Sequence, residues 1–414
     1  MKKENYLSKE LTKQQLIELD ACVSCSECLK WCPIQDVTGD PSISPPEKIR
    51  AMKDFVKEER GLKTRLFGSK EISEEKLKRF QEILWKCVLC GNCGVVCEVG
   101  IDTKKLWWTL RKSVCESKVG TPEPLKGTLV NYSKNRSPFP KPLTHRYRFW
   151  LPEDIKVADR AEIGFYEGCG GAWDAPQSAE GAARLLSAGG TFTLLDPEDA
   201  WCCGWPMITG PGDWSFMPEL VNKLVAAIKN KGIKRLAMVC PMCRDVMKYL
   251  YPEYYGDELP FECVMVGEIV AEYIEEGRIK FTKRLDETVT NHDPCSLARP
   301  HVGPPILEAP RKILNALPGV RVVEMERHGE LTRCCGGAAG QRSLNPELAV
   351  KMAKELLLEA KRAGADTMVT SCVACYVTLA GVTHFAPHPA VDEYKRFEKP
   401  VKVNDLLQYA AALL

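Results

Sequence analysis

Long uncharged apolar runs are missing from this chain of 414 residues. A membrane-crossing helix takes about 18 such residues. The best stretch, residues 261–274, is shorter and is interrupted by Glu262, Glu268 and Glu272, so no direct membrane span is expected. The opening Met-Lys-Lys-Glu-Asn-Tyr-Leu-Ser-Lys-Glu lacks the apolar core of a secretory signal, and the expected compartment is reducing and cytoplasmic. An excess of one charge is also missing. With a formal net charge of +2, no strong field draws the protein to nucleic acid or to a membrane surface. Nor does a basic stripe interleave with aromatics, so no nucleic-acid partner is expected. What the composition does supply is 45% hydrophobic residues, which at this length suits two or three globular domains.

Cysteine is the opposite case, with 20 in the chain. In a reducing compartment, cysteines clustered at short spacings are metal ligands or redox centres rather than disulfides. The first cluster, Cys22-x-x-Cys25-x-x-Cys28-x-x-x-Cys32-Pro33, matches the run of bacterial ferredoxins. Cys87-x-x-Cys90-x-x-Cys93-x-x-x-Cys97 repeats it, with Glu98 where proline usually follows. Three thiolates on a tight turn reach three irons of one cubane, and the offset fourth serves the neighbouring cluster. The motif therefore assigns one cubane [4Fe-4S] cluster to Cys22, Cys25, Cys28 and Cys97, and a second to Cys87, Cys90, Cys93 and Cys32. Two structural zinc sites would want two CxxC pairs each and have no use for the offset cysteine.

Helices are expected near residues 47–59, 73–86 and 102–118, and a surface helix before Cys22. Ile49, Met52, Phe55 and Val56 form an apolar stripe read as core, and Trp107 and Trp108 are read as packing. Residues 1–118 are taken as one domain. Residues 119–160, with Pro122, Pro124, Pro138, Pro140 and Pro142 among basic residues, read as an extended linker.

Beyond residue 160 five cysteines recur twice in the order C, CC, CxxC: Cys169, Cys202-Cys203, Cys240-x-x-Cys243, then Cys295, Cys334-Cys335, Cys372-x-x-Cys375. In both copies 36 residues separate the CC pair from the CxxC. Strands are expected at 163–166, 192–195, 235–239, 289–292, 320–325 and 366–370, with helices at 178–188, 218–230, 311–317 and 346–362. Each cysteine group then falls just past the carboxyl end of a strand, where open α/β sheets build their sites. Gly204 and Gly336-Gly337 suit tight turns against an inorganic core. Five thiolates exceed the needs of a cubane or of a tetrahedral zinc. Two readings stand on spacing alone, an unusual cluster with an extra or bridging thiolate and a four-thiolate cluster beside a redox cysteine.

The pattern resembles the CCG domain of heterodisulfide reductases, and the full order resembles the D subunit of that enzyme and the K subunit of the membrane complex associated with dissimilatory sulfite reductase. The resemblance rests on Trp31-Cys32-Pro33 with Asp36-Val37-Thr38-Gly39-Asp40, Cys97-Glu98-Val99-Gly100-Ile101, His292-Asp293-Pro294-Cys295 and Cys334-Cys335-Gly336-Gly337. It implies an α+β and α/β multidomain fold: a helical two-cluster ferredoxin module, then two Rossmann-like α/β CCG domains related by duplication, at 161–285 and 286–414. It also implies non-cubane [4Fe-4S] clusters, one held by Cys169, Cys202, Cys203, Cys240 and Cys243, the other by Cys295, Cys334, Cys335, Cys372 and Cys375. The second set and His292 would be catalytic in cleaving a disulfide, heterodisulfide or protein-bound sulfur substrate by sequential one-electron delivery, in an anaerobic sulfur metabolism. The substrate would be free or carried on a small protein. Expected partners are other subunits of a redox complex, a membrane quinol-oxidising cytochrome b subunit or a flavin subunit, with the chain cytoplasmic or held at the inner face of the membrane through such a subunit. The rival is a non-catalytic electron-transfer subunit of a glycolate- or lactate-oxidase-type complex.

Where relatives often read D-P-C-H-L-G-R, this chain has Ser296 in the histidine position. His292 is the candidate proton donor, and Arg299, Arg333 and Arg342 are candidate counter-charges for reduced clusters. His301, His328, His384 and His388 lack ligand partners at metal spacing. Cys115 and Cys263 fit no motif and are read as buried thiols.

Overall fold

The duplication read in the cysteines is a duplication of sheets. In the computed structural model, which describes residues 6–68, 71–384 and 399–414, the strands are β1 (Ile163–Tyr166), β2 (Thr193–Leu194), β3 (Arg235–Met238), β4 (Glu262–Met265), β5 (Glu287–His292), β6 (Val320–Val322), β7 (Thr367–Thr370) and β8 (Lys402–Asp405). They form two sheets of the same design, β2-β1-β3-β4 and β6-β5-β7-β8. Every pairing is parallel. Parallel strands carry helices on both faces and so read as unbroken apolar runs. β1, β3 and β7 show it, with nearly every residue buried.

β4 and β8 were not expected. β4 passes directly into the helix Val266–Glu275, so the strand and helix periods overlap within one apolar stretch. β8 reads Lys-Val-Asn-Asp, too polar to stand out, and is recruited by pairing with β7.

The described residues divide into two compact units, Met1–Leu129 with Pro206–Trp214 and Gly336–Met352, and Val130–Trp205 with Ser215–Cys335 and Ala353–Leu414. The segments following both CC pairs therefore belong with the N-terminal helices, which differs from the boundaries expected from sequence. Hydrogen bonds explain it. Trp85 Nε1 donates to the Gly210 carbonyl at 2.8 Å, and Gln341 Nε2 donates to the Trp85 carbonyl. Arg111, fully buried, donates to the carbonyls of Thr209, Ala339, Leu84 and Cys87.

In that unit the helix Pro45–Arg60 begins with two prolines, tolerated in a first turn where N–H groups have no intrahelical partner. Its inward face carries Lys48, Ile49, Met52, Phe55 and Glu59, and Phe55 meets Phe80 edge to face at 5.3 Å. Burial of each large apolar side chain contributes about 1.5–3 kcal/mol. Trp107 and Trp108 are buried as well, consistent with packing.

Residues 119–160 are not an extended linker. They contain a helix, Lys126–Asn135, and short turns at Glu123–Leu125 and Leu143–His145. Aromatic anchors outweigh the prolines: Tyr132 packs on Phe216 at 4.6 Å, and Trp150 stands edge-on to Phe165 at 5.4 Å. Arg146 pairs with Glu167, with both side chains buried.

Candidate functional site

The two ferredoxin-type runs share one backbone device. Ser24 and Ser26 have φ of 57° and 65°, and Leu89 and Gly91, at the equivalent places, have 56° and 80°. Left-handed conformations at non-glycine residues cost about 1–3 kcal/mol and persist where a site requires them. Here they fall between successive cysteines of each run. Burial pushes the Cys28 thiol up to about 12, and the charges of Cys93, Cys25, Cys22 and Cys97 add to it, so cysteines of both runs act on it. Cys32 lies by Cys87 and Cys93. The groups differ in access: Cys25 is exposed and Cys22, Cys28 and Cys97 are half-buried, whereas Cys32, Cys87, Cys90 and Cys93 are all buried.

In the other unit all ten repeat cysteines are buried. Cys169 Sγ lies 3.5 Å from Cys202 Sγ. From there sulfur contacts continue through Cys202, Cys203, Cys243 and Cys240. Cys240 meets Cys372, and the row runs on through Cys375, Cys335 and Cys334 to Cys295. The two sets thus form one row, joined at the first cysteine of each CxxC.

Acidities differ along it. Burial pushes Cys203 up, but hydrogen bonds from Cys202 and Cys243 outweigh it and bring it to about 6. Cys240 and Cys335 are likewise lowered, chiefly by hydrogen bonds from Cys243 and Cys334. Cys243, Cys334, Cys372 and Cys375 are raised, chiefly through hydrogen bonds with neighbouring sulfurs. Thiols are weak donors and acceptors, and ionised thiols packed this closely without water repel one another. An all-sulfur, buried donor set fits soft metal centres and not magnesium or calcium. Backbone room fits as well: a Cβ on Gly168, whose φ is +68°, would stand 3.1 Å from Cys243 Sγ.

His292, the last residue of β5, has a ring nitrogen within 4.8 Å of both Cys335 Sγ and Cys375 Sγ. Neither nitrogen has a hydrogen-bond partner of normal length. Tyr166, three residues before Cys169 as His292 is before Cys295, is its counterpart at the first set. It lies by Cys203 and Cys243, with its hydroxyl donating to the Trp201 carbonyl at 2.5 Å. Sequence reading missed Tyr166, although aligning the repeats would have found it.

The remaining candidates are placed as follows. Arg299 donates to the Glu330 carbonyl, Arg333 pairs with buried Glu359 at 2.8 Å, and Arg342 is exposed. Ser296 is buried in the turn Cys295–Ala298. His301 holds Asp245 at 2.8 Å and stacks on Tyr249, and His328 Nδ1 bonds the Met325 carbonyl. His388 and the side chain of His384 lie outside the described residues. Cys115 donates to the Pro211 carbonyl at 2.6 Å. Burial in β4 pushes Cys263 up to about 12.

Known proteins share this arrangement. The cysteine-rich domain family, CCG, matches residues 163–248 and again 289–380, and the 4Fe-4S dicluster domain family matches 18–101. The D subunit of dihydromethanophenazine:CoB–CoM heterodisulfide reductase from Methanosarcina mazei is 37% identical over 89% of this chain and 90% of its own length. Its counterpart from Methanosarcina barkeri is 35% identical over 98% and 97%. A crystal structure of a hypothetical protein from Helicobacter pylori superposes with a TM-score of 0.51 at 12% identity, covering 97% of this chain and 73% of that one, a likeness of fold. Among the described residues no helix is long and apolar enough to cross a membrane. A dicluster module followed by two cysteine-rich domains, matched nearly end to end at these identities, makes this chain an iron–sulfur oxidoreductase of the family formed by the D subunits of heterodisulfide reductases.

Proposed function

We propose that the chain is the component of a redox complex that reduces a disulfide, heterodisulfide or protein-bound sulfur substrate, running in reverse where the donor allows. The dicluster cysteines hold two cubane [4Fe-4S] clusters in the crossed sets given above. The two sets of five hold non-cubane [4Fe-4S] clusters. When bound, these clusters supply one-electron steps, and two such steps with two protons convert one disulfide into two thiols. His292 holds a proton beside Cys335 and Cys375, in reach of sulfur chemistry at the second set. Gly168 leaves room against Cys243, and burial of all ten cysteines keeps water from the reacting sulfurs. Electrons come from a partner, a membrane quinol-oxidising cytochrome b subunit or a flavin subunit, with the chain cytoplasmic or at the inner membrane face.

The observation that carries this reading is the unbroken row of ten buried thiols with Cys240 against Cys372, since a mere relay has no use for five sulfurs per set. Electron paramagnetic resonance of oxidised protein titrated with candidate thiols tests it. A thiol-dependent signal is expected; silence with every thiol, in protein carrying its full iron, would leave an electron-transfer role instead.

A further inference from the structure

Lys48 occupies a place on its helix where an apolar residue is normal. It is 1% exposed, four residues before Met52 and seven before Phe55, on the buried face of Pro45–Arg60. Its ammonium lies by the sulfurs of Cys87, Cys32 and Cys93, with Nζ 5.0 Å from the centre of the Trp107 ring. Among the described residues no carboxylate pairs with it. An ammonium buried without an anion is strongly disfavoured, so the anion it answers is the thiolate group itself. Arg111, also buried, donates to the Cys87 carbonyl at 2.6 Å and brings a second cation to the same cysteine.

Lys30 lies near Cys25, but its side chain is 72% exposed and paired with Glu27 at 2.8 Å. Lys53 reaches only the carbonyls of Cys22 and Asp20. Water screens such charges far more than it screens a buried one.

Resting on the ligand sets proposed above, we infer that Lys48 is a positioning residue for electrons: its charge raises the reduction potential of the cluster held by Cys32, Cys87, Cys90 and Cys93. Reduction adds one negative charge, which burial alone disfavours, and potential follows charge, hydrogen bonds to sulfur and solvent exposure. The lysine offsets burial, so transfer from the exposed cluster to the buried one does not run uphill.

The test is a redox titration of full-length, anaerobically purified protein followed by electron paramagnetic resonance. Lys48→Met is expected to disfavour reduction of one dicluster centre at least tenfold, 59 mV for a one-electron couple, while the other keeps its midpoint. Lys48→Arg, which keeps the charge, stays near wild type. Unmoved midpoints, or two midpoints moving together, overturn the proposal. If the Met variant does not assemble the centre, Lys48→Gln takes its place, and loss of the centre in both neutral variants makes Lys48 an assembly residue and also overturns it. Iron in the unmutated protein far below about sixteen atoms, four clusters of four, would instead sink the ligand assignment.

Discussion

The two halves of the duplicated region share strand order and thiol order, yet they differ in what stands at the strand ends. β1 ends in Tyr166, whose hydroxyl is engaged by a carbonyl; β5 ends in His292, whose ring nitrogens face sulfur. Beside the first set, Arg146 comes in from outside the repeat and pairs with Glu167, both side chains buried. At the second, Asp293 is gripped by Arg311 at 2.9 Å and by the Gly329 N–H. β4 ends in Met265, whose N–H donates to Glu268 in the helix that follows, and β8 in Asp405, whose carboxylate caps its helix. Duplication preserved the sulfur scaffold, which backbone spacing alone can hold, while the proton-bearing groups diverged. On the function proposed above, the second half is the one that brings an imidazole to its sulfurs.

The largest effect tests what the halves share. Cys203→Ser and Cys335→Ser are each expected to remove about four of about sixteen irons and to abolish disulfide reduction, because the row is continuous. Full turnover in Cys203→Ser would show the first half to be dispensable for chemistry. His292→Tyr copies the first half onto the second; with iron content retained, kcat should fall about 10²–10⁴-fold, the usual worth of a general acid. An unchanged kcat would remove His292 from the reaction and erase the difference argued above. The smallest effect concerns stability. Burial raises Asp405 from 3.8 to about 6, against hydrogen bonds from the N–H groups of Gln408 and Leu407. The folded state then holds a proton that the unfolded chain has released, so stability falls as pH climbs from about 4 to about 6, by up to about 3 kcal/mol. Urea unfolding across that window should show the slope in wild type and a flatter one in Asp405→Asn; equal slopes would mean that the burial of Asp405 is relieved.

Much of the molecule was legible because short-range spacing governs it. β1 and the helix Pro346–Arg362 stand where apolar periodicity puts them, and the third strand of each sheet ends within two residues of its CxxC. The linker reading failed on residues 119–160 because proline content describes local stiffness and says nothing of Tyr132, Arg146 and Trp150 finding partners. Lys48 was passed over inside a stripe read only for its apolar members, although it lies on the same face.

The order and spacing of the cysteines already marked the short runs whose sulfurs lie together, because a few residues of backbone limit how far a thiol can reach. Only the folded chain decided that Cys240 meets Cys372, that His292 reaches Cys335 and Cys375, and that Lys48 lies by buried sulfurs. Those relations join residues far apart in sequence, and packing between sheets and helices, rather than local backbone preference, sets them.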